Sequence, residues 1–315
     1  MAEPKPAGLK LCPFSDYLSG ALEQRLDVIP WYELSPQAQG DWLAIHADSV
    51  RAVITGGHIG CPNALMLALP RLGIVCINGV GFDKVDLDLA RARGVAVTTT
   101  PDTLTDDVAD LAVGLVIALL RRLPAADAYV RAGRWPEGEM PLAGKVTGRR
   151  FGIVGLGKIG AAIAARLTAF GPVAYTGPSR KPVPYRYQES LHELARECDV
   201  LILASAANAS TRGMIDAAVL QALGERGVLV NVARGSLVDE PALIAALESG
   251  QIAGAALDVF ADEPNVPEAL RRRPDAVLTP HIASATVETR MRMADLVLEN
   301  LDAFLAGNPP LSALP

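Results

Sequence analysis

Over the first hundred residues, short apolar runs alternate with helical patterns. Leu9-Lys10-Leu11-Cys12, Val53-Ile54-Thr55, Ile74-Val75-Cys76-Ile77 and Val95-Ala96-Val97-Thr98 are near-continuous rather than alternating, the mark of parallel strands buried on both faces. A helix is predicted from about Thr105 to Leu123, opened by Asp106, Asp107 and Asp110 and closed by Arg121 and Arg122, the charge order that a helix dipole favours. It is expected to bridge two domains. A second series of runs follows at Arg150–Val154, Val173–Tyr175, Val200–Leu203, Val228–Asn231, Ala255–Leu257 and Val277–Leu278. Six strands of one doubly wound sheet would fit it. The last periodic segment, Glu288 to Leu305, reads as a long helix ending at Gly307, with Pro309 and Pro310 beyond.

A chain of 315 residues exceeds what one core usually serves, so two domains are expected. Half the residues are hydrophobic and a fifth charged, which leaves no compositional sign of disorder. The net charge of -6 disfavours electrostatic capture of nucleic acid or anionic lipid, so any anion must be held by a local site. The one basic run, Arg271-Arg272-Arg273, lies between Leu270 and Pro274 and reads as a solvated turn. Cys12, Cys61, Cys76 and Cys198 form no CxxC pair, so neither a disulfide framework nor a metal site is suggested and buried free thiols are expected. The most apolar stretch, Val108 to Leu120, is interrupted by Asp110 and is too short to span a bilayer, and Met1 to Lys10 has no long apolar core; a cytoplasmic location is the expectation.

Composition says nothing about chemistry; one turn does. Gly155-Leu156-Gly157-Lys158-Ile159-Gly160 follows the run Phe151–Val154 and opens a helix with Ile159, Ile163, Leu167 and Phe170 on one face. In that context the three glycines serve a tight turn, close approach to a pyrophosphate, and helix–strand contact. The helix amides would hold the pyrophosphate without net positive charge on the protein. An NAD site would carry an acidic residue about 20 residues further on, to accept from the ribose hydroxyls. Here stands Tyr175-Thr176-Gly177-Pro178-Ser179-Arg180-Lys181, a hydroxyl and two cations where a carboxylate would repel a 2′-phosphate. NADPH is therefore the expected cofactor, although Arg180 and Lys181 can also be read as ordinary loop charges.

Three polar residues follow apolar runs in the carboxyl-terminal half: Arg234 after Val228–Asn231, Glu263 after Leu257-Asp258-Val259-Phe260, and His281 after Val277–Pro280. In a doubly wound sheet such strand ends face the ligand crevice. Reduction of a 2-keto acid needs a cation for the carboxylate, an acid for the developing alkoxide and a partner to orient that acid. A guanidinium fork matches a carboxylate and can polarise the adjacent carbonyl. An imidazole suits proton transfer near neutral pH, and a neighbouring Glu would favour its charged form and fix its tautomer. Taken singly, each has a bland reading: a structural ion pair, a surface turn, a buried histidine. Their occurrence at three successive strand ends favours the chemical one.

At these residues the chain resembles the D-isomer-specific 2-hydroxyacid dehydrogenases, through Gly155–Gly160, Asn231-Val232-Ala233-Arg234-Gly235-Ser236-Leu237-Val238-Asp239, Leu257-Asp258-Val259-Phe260 with Glu263-Pro264, and Pro280-His281-Ile282-Ala283-Ser284-Ala285-Thr286. The likeness covers nearly the whole chain and is strongest to the NADPH-preferring hydroxypyruvate and glyoxylate reductases, hydroxyphenylpyruvate reductases included. It implies an α/β fold of two doubly wound, Rossmann-like and flavodoxin-like domains with parallel sheets and a cleft between them. It also implies a discontinuous substrate domain (1–100 plus 287–315) with a dinucleotide-binding domain (101–286) inserted in it. Further implied are catalytic roles for Arg234, Glu263 and His281, cofactor contacts from Asp258, Ala233 and Ser284, and a substrate-carboxylate loop using the amides of Gly57, His58 and Ile59. A homodimer is usual in the family, with the helix near 105–123 and the segment Tyr129 to Pro141 as a reasonable interface. Other anions such as D-lactate or phosphite remain open as substrates on the same residues. A non-catalytic dinucleotide sensor also shares the fold.

Overall fold

The computed structural model describes residues 5–315. In chain order they form β1 (Ala7–Lys10), α1 (Asp16–Arg25), β2 (Asp27–Pro30), α2 (Pro36–His46), β3 (Val50–Gly56), α3 (Asn63–Ala68), β4 (Ile74–Asn78), α4 (Leu87–Ala92) and β5 (Ala96–Thr98). There follow α5 (Thr105–Leu120), α6 (Leu123–Arg131), β6 (Phe151–Val154), α7 (Lys158–Leu167), β7 (Val173–Thr176), β8 (Arg186–Tyr187), α8 (Leu191–Glu197) and β9 (Val200–Leu203). The chain closes with α9 (Ala217–Leu223), β10 (Val228–Asn231), α10 (Glu240–Glu248), β11 (Gly254–Leu257), α11 (Glu268–Arg271), β12 (Ala276–Leu278) and α12 (Val287–Leu305). Two compact units result, Met1–Leu104 with Thr286–Pro315, and Thr105–Ala285.

The first unit carries a sheet ordered β2-β1-β3-β4-β5, every pair parallel. Its central strands are buried on both faces, with Leu9, Val53, Ile54, Ile74, Val75, Cys76 and Ile77 fully enclosed, which is why they read as unbroken apolar runs. The helix α12 returns to this unit and sets Ala294, Val297, Leu298 and Leu301 against Ile54, Ile74 and Cys76. Each such leucine contributes about 1.5–3 kcal/mol by burial. Gly307 ends the helix at φ +76, with its amide bonded back to Phe304 and that of Asn308 to Ala303, a left-handed cap that glycine adopts without strain. The strand β2 is absent from the expected set: it is an edge strand whose residues are half-buried or exposed and which ends in a proline, so it carries no strong apolar signal.

The second unit has a seven-stranded parallel sheet ordered β12-β11-β10-β9-β6-β7-β8, one more strand than expected, because β8 is only two residues long. Chain order reverses beside β6, where its neighbours are β7 on one side and β9 on the other. Such a switch point leaves a crevice at the carboxyl ends of the strands, the usual ligand position in open α/β sheets. The helix α5 buries Val108, Ala112, Leu115, Val116 and Leu119 and packs along α7. Arg166 of α7 bridges Asp110 at 2.5 Å and Asp106 at 2.9 Å. The helix expected to run to Leu123 stops at Leu120. Arg122 takes a left-handed φ of +53 and a new helix starts with Pro124 in its first turn, where a proline costs nothing.

All four cysteines are buried and free. Burial pushes the thiols of Cys61, Cys76 and Cys198 up to about 12 and raises that of Cys12, so they are packing groups rather than nucleophiles. Among the described residues, no helix is long and apolar enough to cross a membrane.

Candidate active site

The glycine-rich turn occupies the switch point. Gly155 has a φ of +90, and a β-carbon on it would lie 2.7 Å from Ser205 Cα. Gly160 faces the turn itself, where a β-carbon would stand 2.0 Å from the Gly155 carbonyl oxygen. Both are therefore restricted to glycine by backbone contact. Gly157 differs: it precedes the first turn of α7 with no side-chain cap, and a β-carbon there would meet nothing within 4 Å. The chain leaves that space in front of the helix amides empty, as a pyrophosphate cradle requires. Leu156 is buried and Ile159 half-buried, whereas Lys158 is exposed at the helix start. These residues fit a dinucleotide.

At the end of β7 the segment 177–181 is tied down by two tyrosines whose rings lie 5.3 Å apart. The Tyr175 hydroxyl, on a fully buried residue, accepts from the Lys181 amide at 2.7 Å, and the Tyr187 hydroxyl donates to the Gly177 carbonyl at 3.0 Å. Ser179, Arg180 and Lys181 are exposed on this turn, and no acidic residue occurs between Thr176 and Gln188. Among the described residues neither Arg180 nor Lys181 has an ion pair.

Three further strand ends form a second constellation. At the end of β10, the buried Asn231 turns the chain: its Oδ1 accepts from the Ala233 amide at 3.0 Å and its Nδ2 donates to the Arg234 carbonyl at 2.9 Å. Arg234 is thereby held half-buried at the sheet edge, its Nη1 donating to the Ala233 carbonyl at 2.7 Å. Gly235 comes next, and a β-carbon there would stand 1.9 Å from the Phe260 carbonyl carbon. Only glycine lets the segments after β10 and β11 approach so closely.

After β11 the carboxylate of Asp258 is fully buried yet satisfied. It accepts from the Thr279 hydroxyl at 2.6 Å, the Ile282 amide at 2.9 Å and the Ala283 amide at 2.9 Å, while the Asp258 carbonyl accepts from the His281 amide at 2.9 Å. A buried anion needs such donors to offset its desolvation. Here they knit the turn after β12 and hold His281 at a φ of +53, a conformation a non-glycine residue keeps only when its surroundings enforce it. Glu263 reaches the same place from the loop after β11. Its Oε1 accepts from the Phe260 amide at 3.0 Å, and its Oε2 lies 2.7 Å from His281 Nδ1. The two side chains are 24% and 35% exposed, respectively. Ala233 and Ser284 flank this cluster, both half-buried.

In the first unit, the loop after β3 is a tight turn closed by Thr55 Oγ1 donating to the Gly60 carbonyl at 2.7 Å. The amide of Ile59 donates to the Gly56 carbonyl at 3.0 Å, so it is committed within the turn. Among the described residues no backbone carbonyl takes up the Gly57 amide. The exposed His58 folds its ring over Gly56, where a β-carbon would stand 2.8 Å from Cε1.

The sequence pointed to Arg234, Glu263 and His281 but missed what positions them. Asn231, Gly235 and the Asp258–Thr279 pair do that work, and only an Asn closing an apolar strand hinted at it.

A glycine cradle at a Rossmann switch point, with a carboxylate–imidazole pair and an arginine on neighbouring strand ends, defines a pyridine-nucleotide oxidoreductase with acid–base chemistry. The family profile described as "D-isomer specific 2-hydroxyacid dehydrogenase, NAD binding domain" matches residues 113–283. The chain is 47% identical over 306 residues to a hydroxyphenylpyruvate reductase of Plectranthus scutellarioides, covering 96% of this chain and 97% of that protein. It is 46% identical, over the same shares, to a glyoxylate/hydroxypyruvate reductase A of Arabidopsis thaliana. Among solved structures it resembles an NADPH-dependent glyoxylate/hydroxypyruvate reductase of Sinorhizobium meliloti in complex with NADP and malonate, with a TM-score of 0.90, 42% identity, and coverage of 98% of this chain and 97% of that one. The protein belongs to the D-isomer-specific 2-hydroxyacid dehydrogenase family and is an oxidoreductase.

Proposed function

We propose that the protein reduces small 2-keto acids, glyoxylate and hydroxypyruvate foremost, to the D-2-hydroxy acids at the expense of NADPH. The observation that carries this reading is the 2.7 Å pairing of Glu263 with His281 on strand ends next to Arg234. When bound, the nicotinamide supplies the hydride that reduces the keto carbon. The guanidinium of Arg234 binds the substrate carboxylate and polarises the carbonyl. His281, its Nδ1 held by Glu263, delivers a proton from Nε2 to the developing alkoxide and takes it back in the oxidative direction. Asp258, Ala233 and Ser284 receive the nicotinamide end. In the first unit, the amides of Gly57 and His58 receive the carboxylate, the Gly57 amide being the better supported.

Ser179, Arg180 and Lys181 bind the 2′-phosphate. Charge-assisted bonds to such an anion contribute about 1.5–3 kcal/mol each. Arg180→Asp is therefore expected to weaken NADPH use by about tenfold or more and to shift preference toward NADH. Initial rates with both cofactors on glyoxylate, hydroxypyruvate, pyruvate and phenylpyruvates test the whole reading. NADPH oxidation fastest with the two small acids supports it; binding of NADPH without turnover of any keto acid contradicts it. The phenylpyruvates belong in the set because a hydroxyphenylpyruvate reductase is among the relatives.

The assembly is proposed to be a homodimer of cytoplasmic location, the latter in keeping with four free thiols. Val130, Trp135 and Leu142 are 55%, 68% and 95% exposed on the segment after α5, large apolar groups that a second copy would cover. Sedimentation is expected to give twice the chain mass, and Trp135→Asp to lower it.

A further inference from the structure

Ser179, Arg180 and Lys181 ride on a loop with little backbone support of its own. Among the described residues, the backbone of 177–181 takes part in one backbone–backbone hydrogen bond, from the Val183 amide to the Lys181 carbonyl at 2.9 Å. Side chains hold the two ends instead. At one end the Tyr187 hydroxyl donates to the Gly177 carbonyl at 3.0 Å, and at the other the Tyr175 hydroxyl accepts from the Lys181 amide at 2.7 Å. Between these ties, and just beyond them, Pro178, Pro182 and Pro184 fix their own φ angles. The loop therefore has few ways to move once both hydroxyls are engaged.

Both phenols owe their place to the sheet. Tyr175 is the third residue of β7 and fully buried. Tyr187 is the second residue of β8, and the parallel register sets it directly beside Tyr175. With only two residues at the sheet edge, β8 adds little to the sheet itself; what it adds is a second hydroxyl under the loop. The sheet thus reaches, through two side chains, the turn on which the exposed cations stand.

We infer that Tyr175 and Tyr187 are positioning residues for the 2′-phosphate of NADPH, setting the cofactor preference without touching the phosphate. The inference rests on the reading above in which Ser179, Arg180 and Lys181 bind that group. Long cationic side chains lose rotamer freedom when they close on an anion, and a mobile loop would add its own ordering cost. The two hydroxyl ties remove the loop's share in advance, so more of the charge-assisted bonding appears as affinity. NADH carries a 2′-hydroxyl in place of the phosphate and draws little from the cations. The ties therefore act on NADPH selectively.

Fluorescence titration of the full-length protein with NADPH and with NADH tests this on Tyr175→Phe and Tyr187→Phe, which keep the rings and remove only the hydroxyls. Tyr185→Phe is the control, since the Tyr185 hydroxyl has no hydrogen bond among the described residues. Each of the first two variants is expected to raise the Kd for NADPH about 2- to 10-fold, the weight of one neutral hydrogen bond, with the Kd for NADH held. Tyr185→Phe is expected to move neither. Tyr187 is half-buried, so its variant carries the test even if the fully buried Tyr175 does not tolerate the change. Where the wild type prefers NADPH, the inference alone is overturned if Tyr187→Phe weakens both cofactors equally, as a merely structural role would, or leaves their ratio unchanged. A shift of the same size in Tyr185→Phe overturns it as well. A wild type that binds the two cofactors alike overturns the NADPH reading and this inference together.

Discussion

His281→Gln is expected to lower kcat for keto-acid reduction by about 10²- to 10⁴-fold, the usual contribution of a positioned acid, with the Kd for NADPH unchanged. The alkoxide then has to take its proton from water. The residue sits at a φ of +53, so His281→Asn is the companion variant, because Asn tolerates left-handed backbone. Both should behave alike if the imidazole matters, whereas recovery of activity in the Asn variant would mean that only the turn had been disturbed. Glu263→Gln should fall between these and the wild type. Its single amide oxygen can accept from His281 Nδ1 only by turning its NH2 toward the Phe260 amide, so one of the two bonds is lost and the negative charge is gone. Stopped-flow and steady-state kinetics read the split: loss in kcat alone supports a transition-state role, while loss in KM alone would assign the pair to ground-state binding.

Gly235→Ala is expected to be the most damaging single methyl in the second unit. The new β-carbon would stand 1.9 Å from the Phe260 carbonyl carbon and 2.0 Å from its oxygen, with backbone on both sides and no flexible side chain to yield. The segment after β11 must move away, taking with it the Phe260 amide that holds Glu263 Oε1, while Arg234 is pushed out of register from the other side. Overpacking of this kind costs about 1–3 kcal/mol, a fall in Tm of several degrees by differential scanning calorimetry, and activity should fall with it. Gly157→Ala supplies the contrast. Its β-carbon enters open space, so thermal stability should hold while NADPH binding weakens. Equal Tm losses in the two variants would contradict the assignment of that space to the cofactor.

These two glycines show how far the sequence could be read. The motif at 155–160 was legible because its spacing and its strand–turn–helix context are local. The demand on Gly235 was not, because it arises from two strand ends that meet only after the sheet forms. Central strands such as β4 and β9 were legible since both their faces are buried; β2 and β8, short and at sheet edges, lack that pressure on composition. The break at Arg122 was hidden because arginine is not a residue that announces a left-handed turn, although Pro124 was a clue. In the site, Arg234, Glu263 and His281 could be picked out as polar residues closing apolar runs. That the buried Asp258 also knits the histidine's turn through Thr279, Ile282 and Ala283 was not legible, because those donors meet it only once β11 and β12 pair. The commitment of the Ile59 amide to its own turn was equally out of reach, since amide partners depend on backbone angles that the residue pattern does not specify.

The most direct measurement is a crystal structure of the complex with NADP⁺ and oxamate, an unreactive analogue of a 2-keto acid. The carbonyl oxygen of oxamate is expected within hydrogen-bond distance of both His281 Nε2 and the Arg234 guanidinium, with its carbonyl carbon facing C4 of the nicotinamide. An analogue bound beside the nicotinamide but contacting neither side chain would contradict the assignment of both residues to the chemistry.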